Sequence, residues 1–231
     1  MKFPSPLLRG TLIKRYRRSL ADIKLDGGAI VTAHVFALGA MRGCCEPRRP
    51  VLISDSGDRA RRHPLTWELI DMNGVWVGVN PTVSRRILHE VIVDGTIESL
   101  RGYTIQSEAF FGRGRRIDLI LQSMKENCFI SVQSVSWAED GTALFPDTVN
   151  EPARKSLHEL AEITRQGHRA IAFFHVLRQD CDRMRPAGHV DKEYVKGLRE
   201  AERAGVEIIA FRGTVSPSEI GLGIPIPFSL E

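Results

Sequence analysis

Asp118 interrupts a run that is otherwise apolar on both sides, Ile117-Asp118-Leu119-Ile120-Leu121. Burying an unpaired carboxylate costs several kcal/mol, so it needs an arginine such as Arg116, backbone N–H groups or a metal. Glu108 lies upstream, and two acids are the minimum for a hard divalent cation such as Mg2+. Asp147, in Phe145-Pro146-Asp147, is a third candidate ligand, although Pro-Asp also builds turns. Between the first two acids, Gly112-Arg113-Gly114-Arg115-Arg116 sets three arginines on flexible glycines. Such a loop suits phosphate, through charge-assisted hydrogen bonds, and it equally suits a solvated turn. The residues that could do chemistry therefore point to metal-assisted or backbone-directed work on a phosphodiester.

Other chemistries lack their motifs. No phosphate-binding G-x-x-x-x-G-K-[ST], no G-x-G-x-x-G between strand and helix, no G-x-S-x-G elbow and no H-E-x-x-H is present. The seven histidines are scattered, and His175, within Ala-Ile-Ala-Phe-Phe-His-Val-Leu, reads as a satisfied core residue rather than a ligand. Cys44, Cys45, Cys128 and Cys181 form no C-x-x-C, which fits reduced thiols in a cytoplasmic protein. The longest uncharged stretch, Gly27 to Met41, is too short and too polar to span a bilayer, and the N-terminus shows no apolar signal region.

The elements that must position these residues fall into two textures. The chain has 231 residues, 42% of them hydrophobic, enough for one large domain or two small ones. Residues 1–82 carry 13 Lys+Arg against 7 Asp+Glu, whereas residues 83–231 carry 19 against 21. A basic first third implies an anionic partner, nucleic acid foremost. That third reads as short strands at 7–13, 19–25, 29–36, 51–54, 66–72 and 75–79, with hairpin signals at Asp26-Gly27-Gly28 and Asn73-Gly74. The pattern fits a small OB-type barrel, with a sandwich as the alternative. Beyond Asn80-Pro81-Thr82 the period becomes helical over 84–93, with Ser84 as its cap. Strands at 116–121 and 128–135, a helix over 152–166, a strand at 168–177, a helix over 191–204 and a strand at 206–215 complete a mixed α/β unit. The expected domains are thus 1–82 and 83–231.

Ordered along nearly the whole chain are Phe3-Pro4-Ser5-Pro6-Leu7, Arg15-Tyr16-Arg17-Arg18, Val31-Thr32-Ala33-His34, Thr66-Trp67-Glu68-Leu69 and Trp76-Val77-Gly78-Val79-Asn80. Arg116-Ile117-Asp118, Phe145-Pro146-Asp147, Gly167-His168-Arg169-Ala170 and Ala204-Gly205-Val206-Glu207 follow. In these motifs the chain resembles the sugar fermentation stimulation protein A family. The resemblance implies an N-terminal OB-like barrel followed by a restriction-endonuclease-like domain of the PD-(D/E)XK type. It also implies non-specific DNA binding linked to bacterial regulation of sugar (maltose) metabolism.

The departures from the family pattern bear on the chemistry. Asp118 matches the motif Asp. The family's next strand reads like Val-Glu-Val-Lys-Asn-Val, and here it is Ile130-Ser131-Val132-Gln133-Ser134-Val135. Ser131 thus stands where a Glu would bind metal, and Gln133 where a Lys would orient water and stabilise developing charge. Losing one such group commonly costs about 10²–10³ in rate. The family's Pro-Asn-Thr-Gly becomes Phe36-Ala37-Leu38-Gly39, and of its Arg-Gly-x-Lys-His-Leu only Lys155 keeps its charge. Arg15, Arg17, Arg18, Arg113, Arg115, Arg116 and Lys155 remain basic, and backbone contacts need charge more than exact geometry. The leading expectation is a DNA-binding protein with an eroded nuclease site, no membrane association, and either no cofactor or weakly bound Mg2+ or Mn2+. A nuclease working through Glu108, Asp118 and Asp147 is the alternative. A third reading is a protein-binding module using an apolar patch of Phe36, Leu38, Phe110 and Phe111.

Overall fold

The computed structural model describes residues 1–3, 6–58, 60–106 and 117–230. The first strands are β1 (Leu8–Tyr16), β2 (Leu20–Leu25), β3 (Ile30–His34), β4 (Pro50–Asp55), β5 (Leu65–Met72) and β6 (Val75–Gly78). They hydrogen-bond in the order β3-β2-β1-β4-β5-β6, and a parallel β3–β5 pairing at His34 and Thr66 closes the ring. This is a barrel, not a sandwich: every strand but β6 has at least two neighbours. Leu12, Ile23, Ile53, Trp67 and Ile70 fill its core, with a register shift in the β4–β5 pairing between Trp67 and Leu69 that lets both Trp67 and Ile70 face inward. At Gly10 the strands approach so closely that a Cβ would lie 2.6 Å from the Lys24 carbonyl oxygen. The Asn73-Gly74 turn joins β5 to β6 with both residues at positive φ, as such a hairpin requires.

The second unit contains α1 (Thr82–Val93), β7 (Thr104–Ile105), β8 (Leu119–Gln122), β9 (Asn127–Val135), β10 (Ala138–Glu139) and β11 (Thr142–Phe145). It continues through α2 (Glu151–Arg165), β12 (Arg169–Val176), β13 (Arg183–Pro186), α3 (Lys192–Arg203), β14 (Glu207–Val215) and β15 (Ile220–Pro225). The main sheet runs β15-β14-β12-β9-β8-β7, with β9, β12 and β14 mutually parallel. A small sheet, β10-β11-β13, lies apart. Parallel strands need both faces covered. On one face α2 and α3 supply Leu160 and Leu198 to a core with Phe129 and Phe174. On the other, Ile87 and Leu88 of α1 pack with Ile130 and Phe173, and Leu52 and Leu69 of the barrel join the same cluster.

The helix caps follow sequence chemistry in two of three cases. The Asn150 side chain accepts from Ala153 N–H at the start of α2, and Asp191 accepts from Tyr194 N–H at the start of α3. At α1 the expectation fails: Ser84 lies inside the helix, Pro81 stands at the cap position, and the Ser84 hydroxyl is used in the tertiary structure instead. Five further strands, β7, β10, β11, β13 and β15, were not legible in the sequence. They are short or glycine- and proline-rich, and β11 finds its parallel partner β13 only beyond α2 and β12, while β15 returns antiparallel on its neighbour β14.

Candidate functional site

A cleft of about 830 Å3 opens between the barrel and the second unit. Its walls are the 36–41 loop of the barrel, the segment entering α1, the C-terminal end of β9 and the start of α2. Asp118, just before β8, lies in it. The Asp118 N–H donates to the Ile130 carbonyl at 3.0 Å, and its Oδ2 accepts from Val132 N–H at 2.7 Å. Burial pushes this carboxyl up, while the Val132 N–H, the charge of Arg85 and the Ser131 hydroxyl pull it back. A backbone N–H and a neighbouring hydroxyl thus supply the partners that the sequence required. Ser131 is 3% exposed, and Gln133 Nε2 donates to its Oγ at 3.2 Å. The two residues share one face of β9 and form a neutral pair beside the carboxylate.

The other proposed acids stand differently. Asp147 lines the same cleft, but its Oδ2 accepts from Met41 N–H at 2.6 Å, and its backbone carbonyl accepts from Arg42 Nε at 2.8 Å. A Cβ on Gly39 would lie 2.2 Å from Asp147 Oδ1, so loop and carboxylate fit only because residue 39 is glycine. Glu108 lies outside the described residues, as do Phe110, Phe111, Arg113, Arg115 and Arg116. Among the described residues, no three His, Cys, Asp or Glu side chains gather as a metal site.

The basic residues divide by task. Arg15 turns its guanidinium onto backbone: Nη2 donates to the Ala37 and Arg18 carbonyls at 2.7 Å each, Nη1 to Gly39 at 2.9 Å, and Nε to Arg18 at 3.1 Å. Arg17 and Arg18 form the β1–β2 turn, both at positive φ (49° and 60°), and both side chains are exposed. Left-handed backbone costs a non-glycine residue about 1–2 kcal/mol, and the Arg15 fork braces it here. Arg18 lines the cleft. Lys155 sits on the exposed side of α2, 2.8 Å from Glu151.

Sequence reasoning missed Arg85, Arg86 and His89. They project from α1 into a second hollow of about 470 Å3, which also reaches Asp118 and includes Gln106. The available signal was two adjacent arginines in the opening turns of a helix with no acid in its first turn, where the dipole disfavours cations.

Buried polar chains brace the site from behind. Ser134, in the cleft wall, donates to Ser84 Oγ at 2.7 Å, and Ser84 Oγ lies 3.1 Å from His175 Nδ1. His175 Nε2 lies 3.3 Å from the Gly221 carbonyl, and burial lowers the ring to about 4. His175 is therefore a neutral, satisfied core histidine, as read from its apolar flanks. Glu68 accepts from Ser54 Oγ at 2.7 Å and from Asn80 Nδ2 at 2.9 Å, while Asn80 Oδ1 accepts from Thr82 N–H. This ties β5 to the start of α1.

Comparison with known proteins places these features in context. The family model described as "Sugar fermentation stimulation protein RE domain" matches residues 82–219, and "SfsA N-terminal OB domain" matches residues 13–79. A sugar fermentation stimulation protein homolog of Citrifermentans bemidjiense is 45% identical over 231 residues, all of both chains. Those of Geobacter sulfurreducens (44% over 98% of each chain) and Maricaulis maris (39% over all of each) are also similar. The solved structure of Pyrococcus furiosus SfsA in complex with Ca2+ superposes with a TM-score of 0.91 at 20% identity, covering 99% of this chain and 98% of that one. At that identity the likeness is one of fold. Among the described residues, no helix is long and apolar enough to cross a membrane.

Proposed function

This chain belongs to the sugar fermentation stimulation protein family, and from that premise we propose that it is a non-specific DNA-binding protein whose nuclease-like site has lost its catalytic charge. The observation that carries the reading is the floor of the cleft. Asp118 keeps its carboxylate, but the two groups next to it on β9 are Ser131 and Gln133, neutral and hydrogen-bonded to each other. A nuclease needs charge here to position a metal and to stabilise a phosphorane-like transition state. Backbone binding needs only cations, and Arg17, Arg18, Arg85 and Arg86 ring the junction with exposed side chains. A regulatory role in sugar metabolism accompanies this reading, in keeping with the family's name.

The nuclease alternative draws on the Pyrococcus furiosus protein, which was solved with Ca2+. The described residues of this chain do not fit a resident divalent ion. Of the two carboxylates lining the cleft, that of Asp147 is engaged by the loop backbone, leaving Asp118 alone, and a hard cation needs more oxygen donors.

One agarose gel with supercoiled plasmid and Mg2+ or Mn2+ separates the readings. The wild type shifts the plasmid without nicking it, and the shift weakens steeply as salt rises. Ser131→Glu/Gln133→Lys nicks. Nicking by the wild type that disappears in Asp118→Ala would establish the nuclease instead, and no shift at low salt would remove DNA binding altogether.

A further inference from the structure

The cleft is unlike a surface built to track a duplex backbone. Arg18 is the only lysine or arginine among the described residues that line it. Its mouth is apolar: Leu38 is 68% exposed and Val149 61%, with Phe36 beside them. Beside the Asp118 carboxylate its floor offers the neutral groups of Gln133, Ser134 and Ser136, and the Gln133 carbonyl Oε1 is unengaged among the described residues. At about 830 Å3 it has the size of a small-ligand site. An apolar wall, a polar edge-reading floor and a cation at the rim together match a nucleobase and its phosphate. A base has a π-face that prefers an apolar surface and an edge that needs donors and acceptors.

The rim cations are held at a cost. Arg17 and Arg18 both occupy left-handed backbone, and Arg15 spends its whole guanidinium on the turn and on the 37–39 carbonyls. One brace thus fixes the basic turn and the apolar loop relative to each other. Backbone strain maintained by a dedicated brace marks a place where side-chain position matters.

Resting on the DNA-binding reading, we infer that this cleft takes an unpaired nucleotide. The phosphate sits at the Arg17–Arg18 turn, the base lies against Phe36 and Leu38, and Gln133 meets its edge. The protein therefore prefers single-stranded or locally unpaired DNA to intact duplex.

Fluorescence anisotropy with three labelled probes of equal length tests this: an oligothymidine, the same backbone without bases, and a duplex. The wild type binds the oligothymidine about tenfold more tightly than either of the others, the scale of one stacked base. Phe36→Ala/Leu38→Ala erases that preference and keeps the duplex affinity. Arg17→Asn/Arg18→Gly weakens all three and flattens the salt dependence. Its melting temperature does not fall, because Asn-Gly takes positive φ readily. Equal affinity for the abasic and base-bearing strands, or a preference that survives the Phe36/Leu38 change, overturns the inference. Binding to the duplex alone overturns it while DNA binding stands, and binding to none of the probes overturns both.

Discussion

His175 shows how a single side chain sets a pH limit on the fold. It is fully buried between Ser84 Oγ and the Gly221 carbonyl, and Gly213 leaves no room for a Cβ within 2.8 Å of its Nε2. Its folded value of about 4 lies below the ordinary 6.5. The unfolded chain therefore takes up the proton first, so stability is whole above about pH 6.5 and is lost as pH falls toward 4. The loss approaches about 3 kcal/mol at the lower end. Thermal melts between neutral pH and about 4 should show this acid destabilisation, and His175→Gln, which keeps a donor and an acceptor, should remove most of it. An unchanged pH profile in that variant would show that the acid sensitivity lies in other groups. Asp118 and Glu68 shift the opposite way, raised by burial, so each adds stability that declines as pH climbs through its titration.

Among the elements, the 36–41 loop depends most on fit. Arg15 holds two of its carbonyls, Asp147 holds Met41 N–H, and Gly39 passes against the Asp147 carboxylate. Gly39→Ala should push the loop from Asp147 and cost about 1–3 kcal/mol by overpacking. On the proposed reading it should also lower affinity for single-stranded DNA, because the cleft wall moves. Denaturant midpoints and gel shifts on the same preparation check both effects, and a variant with unchanged stability would mean that the loop yields freely. Helix α1 makes a related point. Its apolar face was plain from Ile87, Leu88, Val91 and Ile92, but the tasks of its polar residues were not. Ser84 serves His175 and Ser134 instead of capping, and Arg85 and Arg86 face the hollow at Asp118.

At the scale of the whole molecule, the barrel and the α/β unit share one apolar cluster. Leu52 and Leu69 of the barrel pack with Leu88, Ile130, Phe173 and Leu177 of the second unit. The two should therefore unfold together. Leu69→Ala should cost about 2–5 kcal/mol and lower the single transition as a whole. In a Trp76→Phe/Trp137→Phe background the remaining tryptophan, Trp67, buried in the barrel core, reports the barrel alone, and its fluorescence melt should coincide with the loss of circular dichroism. Two separate transitions would show independent domains. By itself the sequence determined the strands of the barrel, the three helices, the change of texture near Asn80 and the need of Asp118 for partners. Those follow from periodicity, turn residues and the cost of burying charge, all of which act between neighbours in the chain. Only the tertiary structure decided that Arg15 braces a loop, that Asp147 grips Met41, and that Arg85 reaches Asp118. The Arg15–Gly39 contact spans 24 residues and the Met41–Asp147 contact 106. A polar side chain takes whichever donor or acceptor chain closure brings within about 3 Å, and no local pattern records that choice.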